Sequence, residues 1–244
     1  MSTPPLQFAA PNAIVSLFGK NFAPAGTSRA VTGQDLVNGA IPTSLAATCV
    51  VFGTTRAPMF LVTPTQINVQ VPTLTAPATV NVQVLVNCDT ANQTASNTAS
   101  VLLQAAAPEF FYAQNNPNGR NPVAANDSVT GAAVGDPADL GAGFALAYPG
   151  ESITLYCTGL GLSTPGFNAG ELPPAGAPVP NLSVTIDDVA LDASAILYAG
   201  IAPMNAGLYQ INIVLPANLN TGDHTIGLAV KNAKSPGGAF LSVR

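Results

Sequence analysis

Hydrophobic and polar residues alternate with a period of two in many short stretches of this chain. Residues 66–71, for example, read Gln-Ile-Asn-Val-Gln-Val. Neighbouring side chains of an extended strand point to opposite faces, so this pattern predicts a strand that is buried on one side. Pro and Gly, 22 of each, separate such stretches, and no dozen residues keep a helical period. The chain is therefore predicted to be all-β.

The pattern occurs twice along the chain. Residues 66–72 read Gln-Ile-Asn-Val-Gln-Val-Pro, and residues 210–216 read Gln-Ile-Asn-Ile-Val-Leu-Pro. Each copy has six or seven predicted strands in about 100 residues, which is typical of an immunoglobulin-like sandwich. We predict two tandem immunoglobulin-like β-sandwiches, residues 1–106 and 145–244, joined by an ordered connector, residues 107–144.

The connector carries the densest aromatic cluster, Pro108-Glu109-Phe110-Phe111-Tyr112. A structureless linker of about 40 residues is unusual in a compact protein. We therefore expect the aromatic residues to pack between the sandwiches and the remainder to form a short hairpin against the second one.

Low charge excludes some partners. Charged residues make up 8% of the chain, against a usual share of about 25%. The seven basic residues are scattered and the net charge is −5, so we expect no nucleic-acid partner. No run of about 18 apolar residues exists, so we expect no membrane insertion.

The compartment is inferred from composition and from the N-terminus. Residues 1–8 have no charged n-region and no apolar h-region, so they are not a secretory signal. The chain is either cytosolic or part of a secreted protein whose signal peptide is not present in this chain. Low charge with abundant Thr and Asn favours the second alternative, an extracellular or cell-surface location.

Two of the three cysteines lie in strand-like stretches of the first copy. A disulfide between Cys49 and Cys88 would close a loop of about 40 residues and stabilise the fold by about 3–4 kcal/mol. The alternative is two buried free thiols. Cys157, in the second copy, is predicted to be a buried thiol.

No catalytic constellation is evident. His224 is the only histidine, no Gly-x-Ser-x-Gly elbow exists, and the three glutamates lie in no recognisable motif. We predict that the protein is not an enzyme, that His224 is an exposed residue at a strand start, and that no cofactor is bound. Calcium would need loop carboxylates at regular spacing, which two aspartate clusters lack: Asp187, Asp188 and Asp192, and Asp127, Asp136 and Asp139.

Two kinds of binding surface are candidates. Exposed aromatic residues stack on sugar rings, and Tyr112, Tyr148 and Phe167 lie in predicted loops, so they are the candidate glycan-stacking residues. The repeated amides form a candidate interaction face, either as a ladder that pairs with another module or as a solvated face bonding nearby loop backbone. Its members are Gln66, Asn68, Gln70, Gln210 and Asn212.

A family resemblance rests on seven motifs in a fixed order. They are residues 41–45 (Ile-Pro-Thr-Ser-Leu), 57–72, 107–111 (Ala-Pro-Glu-Phe-Phe), 149–151 (Pro-Gly-Glu), 156–161, 198–203 and 207–212. Over about residues 8–244 the chain resembles the C-terminal domain family of large secreted proteins of Solibacter and related acidobacteria. Each copy also resembles the TIG-like immunoglobulin domains of plexins and transcription factors.

The resemblance implies an exported context, usually as the terminal module of a longer chain. The family is defined by its sequence pattern, so it supplies no catalytic residues, and the pair Cys49 and Cys88 is not part of that pattern. We therefore expect a non-catalytic structural or adhesive module that associates with its own copies or with neighbouring modules, in a filament or another surface assembly. The proline-rich residues 2–10 are expected to lie on a neighbouring subunit's sheet edge. The alternative is a carbohydrate-binding module of a secreted protein.

Overall fold

The computed structural model describes residues 8–116 and 118–244, and strands predominate among them. In these two ranges, helix is limited to α1, Pro137–Leu140, and to two 3-10 turns, Gly33–Asp35 and Ala193–Ala195. The prediction of an all-β protein with tandem immunoglobulin-like sandwiches is confirmed. The chain divides into two compact units.

The described part of the first unit runs from Phe8 to Ala107 and also includes two later segments, Pro165–Gly176 and Ala202–Gly207. Its strands are β1 Phe8–Ala9, β2 Ile14–Phe18, β3 Arg29–Ala30, β4 Thr48–Phe52, β5 Thr55–Arg56, β6 Met59–Val62, β7 Gln66–Gln70, β8 Ala78–Val86, β9 Thr94–Ala95 and β10 Ala99–Leu103. One sheet has the order β1-β10-β8-β4-β5, with β9 beside β8, and the other has the order β2-β7-β6-β3.

The core of the first unit consists of the inward side chains of both sheets. Val50 and Phe52 from β4 lie in the same buried cluster as Ile67 and Val69 from β7. The alternation read from the sequence is the alternation between this core and the outer faces. Burial of these side chains stabilises the sandwich by about 1.5–3 kcal/mol for each large one.

The late segment Pro165–Gly176 is held by backbone and amide hydrogen bonds within this unit. The Gly170 N–H donates to Gln70 Oε1 at 2.7 Å, and the Ile41 N–H donates to the Gly170 carbonyl at 2.9 Å. Asn12 Nδ2 donates to the Phe167 carbonyl at 2.8 Å. A segment that follows the first repeat by some 60 residues therefore completes its hydrogen bonding.

The N-terminal expectation falls partly outside the described residues. Residues 2–7 are not among them, whereas Phe8 and Ala9 form β1. This strand pairs in parallel with Leu102 and Leu103 of the same chain.

The second unit contains the remaining strands and α1. They are β11 Glu109–Phe110, β12 Asn121–Pro122, β13 Ala125–Asp127, β14 Ala133–Val134, β15 Phe144–Ala145, β16 Ser152–Thr158, β17 Ala177–Pro178, β18 Leu182–Ile186, β19 Val189–Ala190, β20 Ile196–Ile201, β21 Tyr209–Val214, β22 Gly222–Val230, β23 Ala233–Lys234 and β24 Ala239–Val243. One sheet has the order β15-β14-β13-β16-β21-β20-β17, with β11 beside β16. The other has the order β12-β24-β22-β18-β19, with β23 beside β22.

The connector is built into the second unit. Its residues form β11 to β15, and Phe110 is only 2% exposed there. Ile153, Leu155, Ile211 and Ile213 are fully buried on the inner face of the larger sheet. The boundaries near residues 106 and 144 remain predictions.

Candidate functional site

The repeated Gln-x-Asn motif lies on a central strand in each unit. Gln66 and Asn68 belong to β7, which lies between β2 and β6, and Gln210 and Asn212 belong to β21, which lies between β16 and β20. The residues between the amides, Ile67 among them, are fully buried. The amides are half-buried and lie on the outer face of their sheet.

In the first unit the amides bond to one another. Gln66 Nε2 donates to Asn68 Oδ1 at 2.8 Å, and Ser16 Oγ donates to the same oxygen at 2.9 Å. Phe18 lies directly opposite Gln66 in the neighbouring strand and is 64% exposed. The outer face therefore combines ordered amides with one exposed aromatic ring.

Gln70 differs from the other amides of the motif, because it is only 2% exposed. Its Nε2 donates to the Asn12 carbonyl at 3.0 Å, while its Oε1 accepts from the Gly170 N–H. Gly207, at φ +72°, closes over this amide, and a Cβ there would lie 2.9 Å from Gln70 Nε2. Gln70 thus bonds loop backbone inside the first unit.

In the second unit aromatic residues flank the motif on both sides. Tyr156 lies opposite Gln210 on β16, and Tyr198 lies opposite Asn212 on β20. The Phe111 N–H donates to the Tyr156 carbonyl at 2.9 Å, which places Phe111 beside Tyr156 on the other edge of β16. We call Phe111, Tyr156, Gln210 and Tyr198 the aromatic–amide row.

Gly200 allows Tyr198 to lie across its own strand. Gly200 is the residue opposite Gln210, and a Cβ at that position would lie 2.7 Å from the Tyr198 hydroxyl and 2.2 Å from the Ala177 carbonyl oxygen. The Tyr198 hydroxyl donates to the Ile201 carbonyl at 2.7 Å. The phenol is therefore held toward the Gln210 end of the row.

A carboxyl group lies one residue pair further along the same sheet. Glu109, opposite Thr158, accepts a hydrogen bond from the Tyr112 hydroxyl. Burial raises the pKa of the Glu109 carboxyl, and burial together with the Glu109 carboxylate raises the pKa of Tyr112. The Tyr112 hydroxyl is thus occupied by a protein acceptor.

The other two candidate stacking residues lie apart in the sequence and in different compact units. Tyr148, in the second unit, is 46% exposed, and the Arg244 guanidinium lies over its ring at 4.2 Å from the centroid. Phe167, in the first unit, is half-buried. Tyr148 is not part of the aromatic–amide row, and Phe167 belongs to the other compact unit.

Cys49 and Cys88 are bonded in a disulfide, with their Cα atoms 6.0 Å apart. Cys88 follows β8, and its N–H donates to the Ala47 carbonyl at 3.0 Å. The bond therefore joins β4 to the end of β8. Cys157 is a free, fully buried thiol, and burial raises its pKa.

The residues considered for catalysis and calcium have local structural partners. His224 contacts Asp187 and the Asn220 carbonyl, at 2.6 and 2.8 Å. Asp127 Oδ1 accepts from the N–H groups of Thr130 and Val129, both at 2.7 Å, which lowers its pKa. Within residues 8–116 and 118–244, neither aspartate cluster brings three metal-binding groups to one point.

The sequence analysis missed the aromatic partners of the amides. Candidate stacking residues were sought in predicted loops, whereas Phe18, Tyr156 and Tyr198 lie in strands. Only the register between strands, which alternation does not reveal, brings them beside Gln66, Gln210 and Asn212.

Comparison with known proteins defines the class of the first repeat. The IPT/TIG domain family model matches residues 12–101, less than half of the chain. The first repeat is thus similar to immunoglobulin-like domains of the IPT/TIG type. No curated protein matches the sequence.

Solved structures resemble the chain weakly. SGBP-B of the Bacteroides ovatus mixed-linkage glucan utilization locus, in complex with a mixed-linkage heptasaccharide, is 10% identical with a TM-score of 0.39; the match covers 100% of this chain and 45% of that one. Domains 5–6 of the S-layer protein SbsC are 9% identical, with a TM-score of 0.28 and coverage of 98% and 92%. Titin domains z1z2 in complex with telethonin are 11% identical, with a TM-score of 0.24 and coverage of 99% and 94%. The chain spans under half the length of SGBP-B, and these scores carry no functional argument.

In the described part of the chain, no helix has both the length and the apolar character needed to cross a membrane.

Proposed function

We propose that this chain is a non-catalytic structural or adhesive module of an exported protein, and that it associates with its own copies at a sheet edge. The motifs shared with the Solibacter-type family support an extracellular or cell-surface location and membership of that family. Low charge supports close packing between copies, because few charged groups must lose water. The observation that carries the proposal is that an extended segment of the chain pairs in parallel with the same sheet edge in both units.

In the second unit the outer edge of β24 is covered by the chain itself. Strand β12 pairs in parallel with Ala239 and Phe240, and Ala147 bridges to Val243. The Arg120 guanidinium lies 4.7 Å from the centroid of the Phe240 ring, so the covering segment is also held by its side chain. An extended segment of this chain can therefore pair with such a strand edge.

In the first unit β10 is the counterpart of β24, and it too pairs in parallel with an extended segment of the chain on that edge. Among the described residues, β1 pairs there with Leu102 and Leu103. Strand edges accept extended segments readily, so we propose that the matching segment of a second copy pairs along β10 at Ala99, Ser100 and Val101.

Ser100 provides a test that leaves the rest of the sheet intact. The Gln104 N–H donates to the Ala9 carbonyl, and residues alternate along a strand, so the Ser100 N–H points to the same edge of β10. Ser100→Pro removes this donor, and proline is tolerated at sheet edges. We expect Ser100→Pro to shift the protein toward monomers in sedimentation velocity across a concentration series.

Ser100→Ala is the matched control, because both variants lose the hydroxyl that donates to Asn81 Oδ1 at 3.0 Å, while only proline loses the N–H. The alanine variant is expected to associate like the parent protein. Monomers at every concentration for the parent protein, or equal association of both variants, would contradict the proposal.

Glycan binding is the second candidate function. The aromatic–amide row supports it, since rings and amides lie side by side on one outer face. An array of neutral and acidic glycans tests it, and the absence of any bound glycan would remove it.

A further inference from the structure

We propose that the aromatic–amide row of the second unit is a binding surface for an uncharged, extended oligosaccharide. The inference rests on the second proposed function, glycan binding, and assigns it to four residues: Phe111, Tyr156, Gln210 and Tyr198. The three aromatic residues of the row were not among the candidate stacking residues named from the sequence. Phe111 was noted there only as part of the aromatic cluster of the connector.

The row is long enough for several sugar rings. Its members come from β16, β20, β21 and the segment that follows β11, which are adjacent in one sheet. Neighbouring strands lie about 4.8 Å apart, so four of them span about 14 Å. A surface of this length suits a chain of sugars better than a single ring.

The aromatic side chains suit sugar faces. The face of an aromatic ring carries partial negative charge, and the C–H groups on one side of a pyranose present partial positive charge. Phe111, Tyr156 and Tyr198 are each half-buried, so their rings are supported by the protein and still reach solvent. A supported ring loses little conformational freedom on binding.

The amides provide hydrogen bonds for hydroxyl groups. Asn212 Oδ1 accepts from Thr154 Oγ1 at 3.3 Å, which orients that amide. The side-chain amide of Gln210 has no hydrogen-bond partner among the described residues. It lies between Tyr156 and the phenol of Tyr198, so its donors and acceptor are available to a ligand lying along the row.

The charges around the row indicate a neutral ligand. The row itself has no acidic or basic side chain. The Glu109 carboxyl, which lies in the same sheet, is half-buried and accepts a hydrogen bond from the Tyr112 hydroxyl. An acidic sugar would find no cation in the row, and Glu109 would repel it. A neutral sugar meets only uncharged hydrogen-bonding groups.

The first unit carries a shorter version of the same arrangement. Phe18 lies opposite Gln66, and Asn68 lies opposite Leu61 where the second unit has Tyr198. The first unit has one aromatic ring where the row has three, so we expect the first unit to bind an oligosaccharide more weakly. We therefore expect the second unit to dominate the affinity for a soluble oligosaccharide.

The test uses the full chain with cellohexaose, xylohexaose, mannohexaose and maltohexaose as neutral probes and hexagalacturonate as the acidic probe. All five tyrosines lie in the second unit, so tyrosine fluorescence reports on that unit alone. We expect at least one neutral probe to bind and the acidic probe not to bind. Tyr156→Ala is expected to weaken binding about tenfold, the loss of one ring contact, and Gln210→Ala is expected to weaken it about threefold.

Tyr148→Ala is the matched control, because it removes an exposed tyrosine outside the row. It is expected to leave the affinity unchanged. Thermal unfolding of every variant separates lost binding from lost folding, and Tyr156→Phe, which keeps the ring, is expected to retain most of the affinity.

The outcomes separate the site from the function. If no neutral probe binds the parent protein, glycan binding and the site both fail. If a probe binds equally well to the parent protein and to well-folded Tyr156→Ala and Gln210→Ala, glycan binding stands and the site is wrong. Equal binding of hexagalacturonate would overturn the inference that the ligand is uncharged.

Discussion

His224 shows how a single side chain can join two elements. Its ring lies at the start of β22 and contacts Asp187, which begins the turn between β18 and β19. Its side chain is 12% exposed, so the expectation of an exposed histidine at a strand start was right about its place and wrong about its exposure. Two partners, one for each ring nitrogen, account for the burial.

The charge state of His224 makes stability depend on pH. Burial lowers the pKa of His224, but the Asn220 carbonyl and the Asp187 carboxylate together raise it above its usual value of 6.5. The protonated ring therefore stabilises the fold fully below 6.5, and this contribution disappears as the pH rises through the raised pKa. We expect the free energy of unfolding to fall by about 0.5–1 kcal/mol from about pH 5.5 to about pH 8.5.

The measurement is direct, because this is the only histidine. One imidazole signal in proton NMR gives the pKa of the folded state, and urea unfolding at the two pH values gives the stability. His224→Gln is expected to remove the dependence in this range. A folded-state pKa below 6.5 would contradict the assignment.

Strands β4 and β8 show how a covalent bond and a hydrogen-bonded ladder act together. Cys49 pairs with Leu85 across the ladder, and the disulfide to Cys88 joins the chain just beyond the end of β8. The closed loop has a sequence separation of 39 residues. The bond limits the unfolded chain, so it stabilises the sandwich in addition to the hydrogen bonds of the ladder.

Removal of the disulfide is expected to destabilise the first unit. Cys49→Ala combined with Cys88→Ala should lower the free energy of unfolding by about 3–4 kcal/mol, because the unfolded chain regains the entropy of the open loop. Urea unfolding followed by circular dichroism measures the change. A reductant should produce a similar loss in the parent protein and no loss in the double variant; equal midpoints for parent and variant would show that the bond contributes nothing.

The long-range assembly of the first unit is a property of the entire chain. The Gln70 amide is hydrogen-bonded to the Asn12 carbonyl and to the Gly170 N–H. These partners lie 58 and 100 residues from Gln70 in the sequence. A fragment of residues 1–107 keeps the first contact and lacks the second. The fragment is therefore expected to be less stable than the same residues in the full chain.

A mutant cycle isolates this contribution. In the full chain, Gln70→Ala should destabilise the first unit by about 1–3 kcal/mol, because the buried Gly170 N–H loses its acceptor. In the fragment the same substitution should have a clearly smaller effect. Hydrogen exchange of the β7 amides measures the effect of Gln70→Ala in the full chain and in the fragment, because tyrosine fluorescence does not report on this unit. Equal effects in the two proteins would rule out the contribution of the late segment.

Period-two alternation predicted the strands because burial on one face is a local property of each stretch. The strand predicted at residues 66–71 corresponds to β7, Gln66–Gln70, within one residue. The internal repeat likewise predicted two sandwiches, because equal patterns fold into equal units. The same local signals placed the amides of the repeated motif on an outer face.

Pairing between distant strands was decided only by the tertiary structure. The register that sets Tyr156 beside Gln210, the pairing of β1 with β10 and the Gln70–Gly170 hydrogen bond all join residues far apart in sequence. Alternation specifies which face a side chain occupies and leaves its neighbours on that face undefined, because any shift of two residues preserves the pattern. The candidate binding surface therefore exists in the sequence as separate outward residues, and it becomes one row only when the sheet forms.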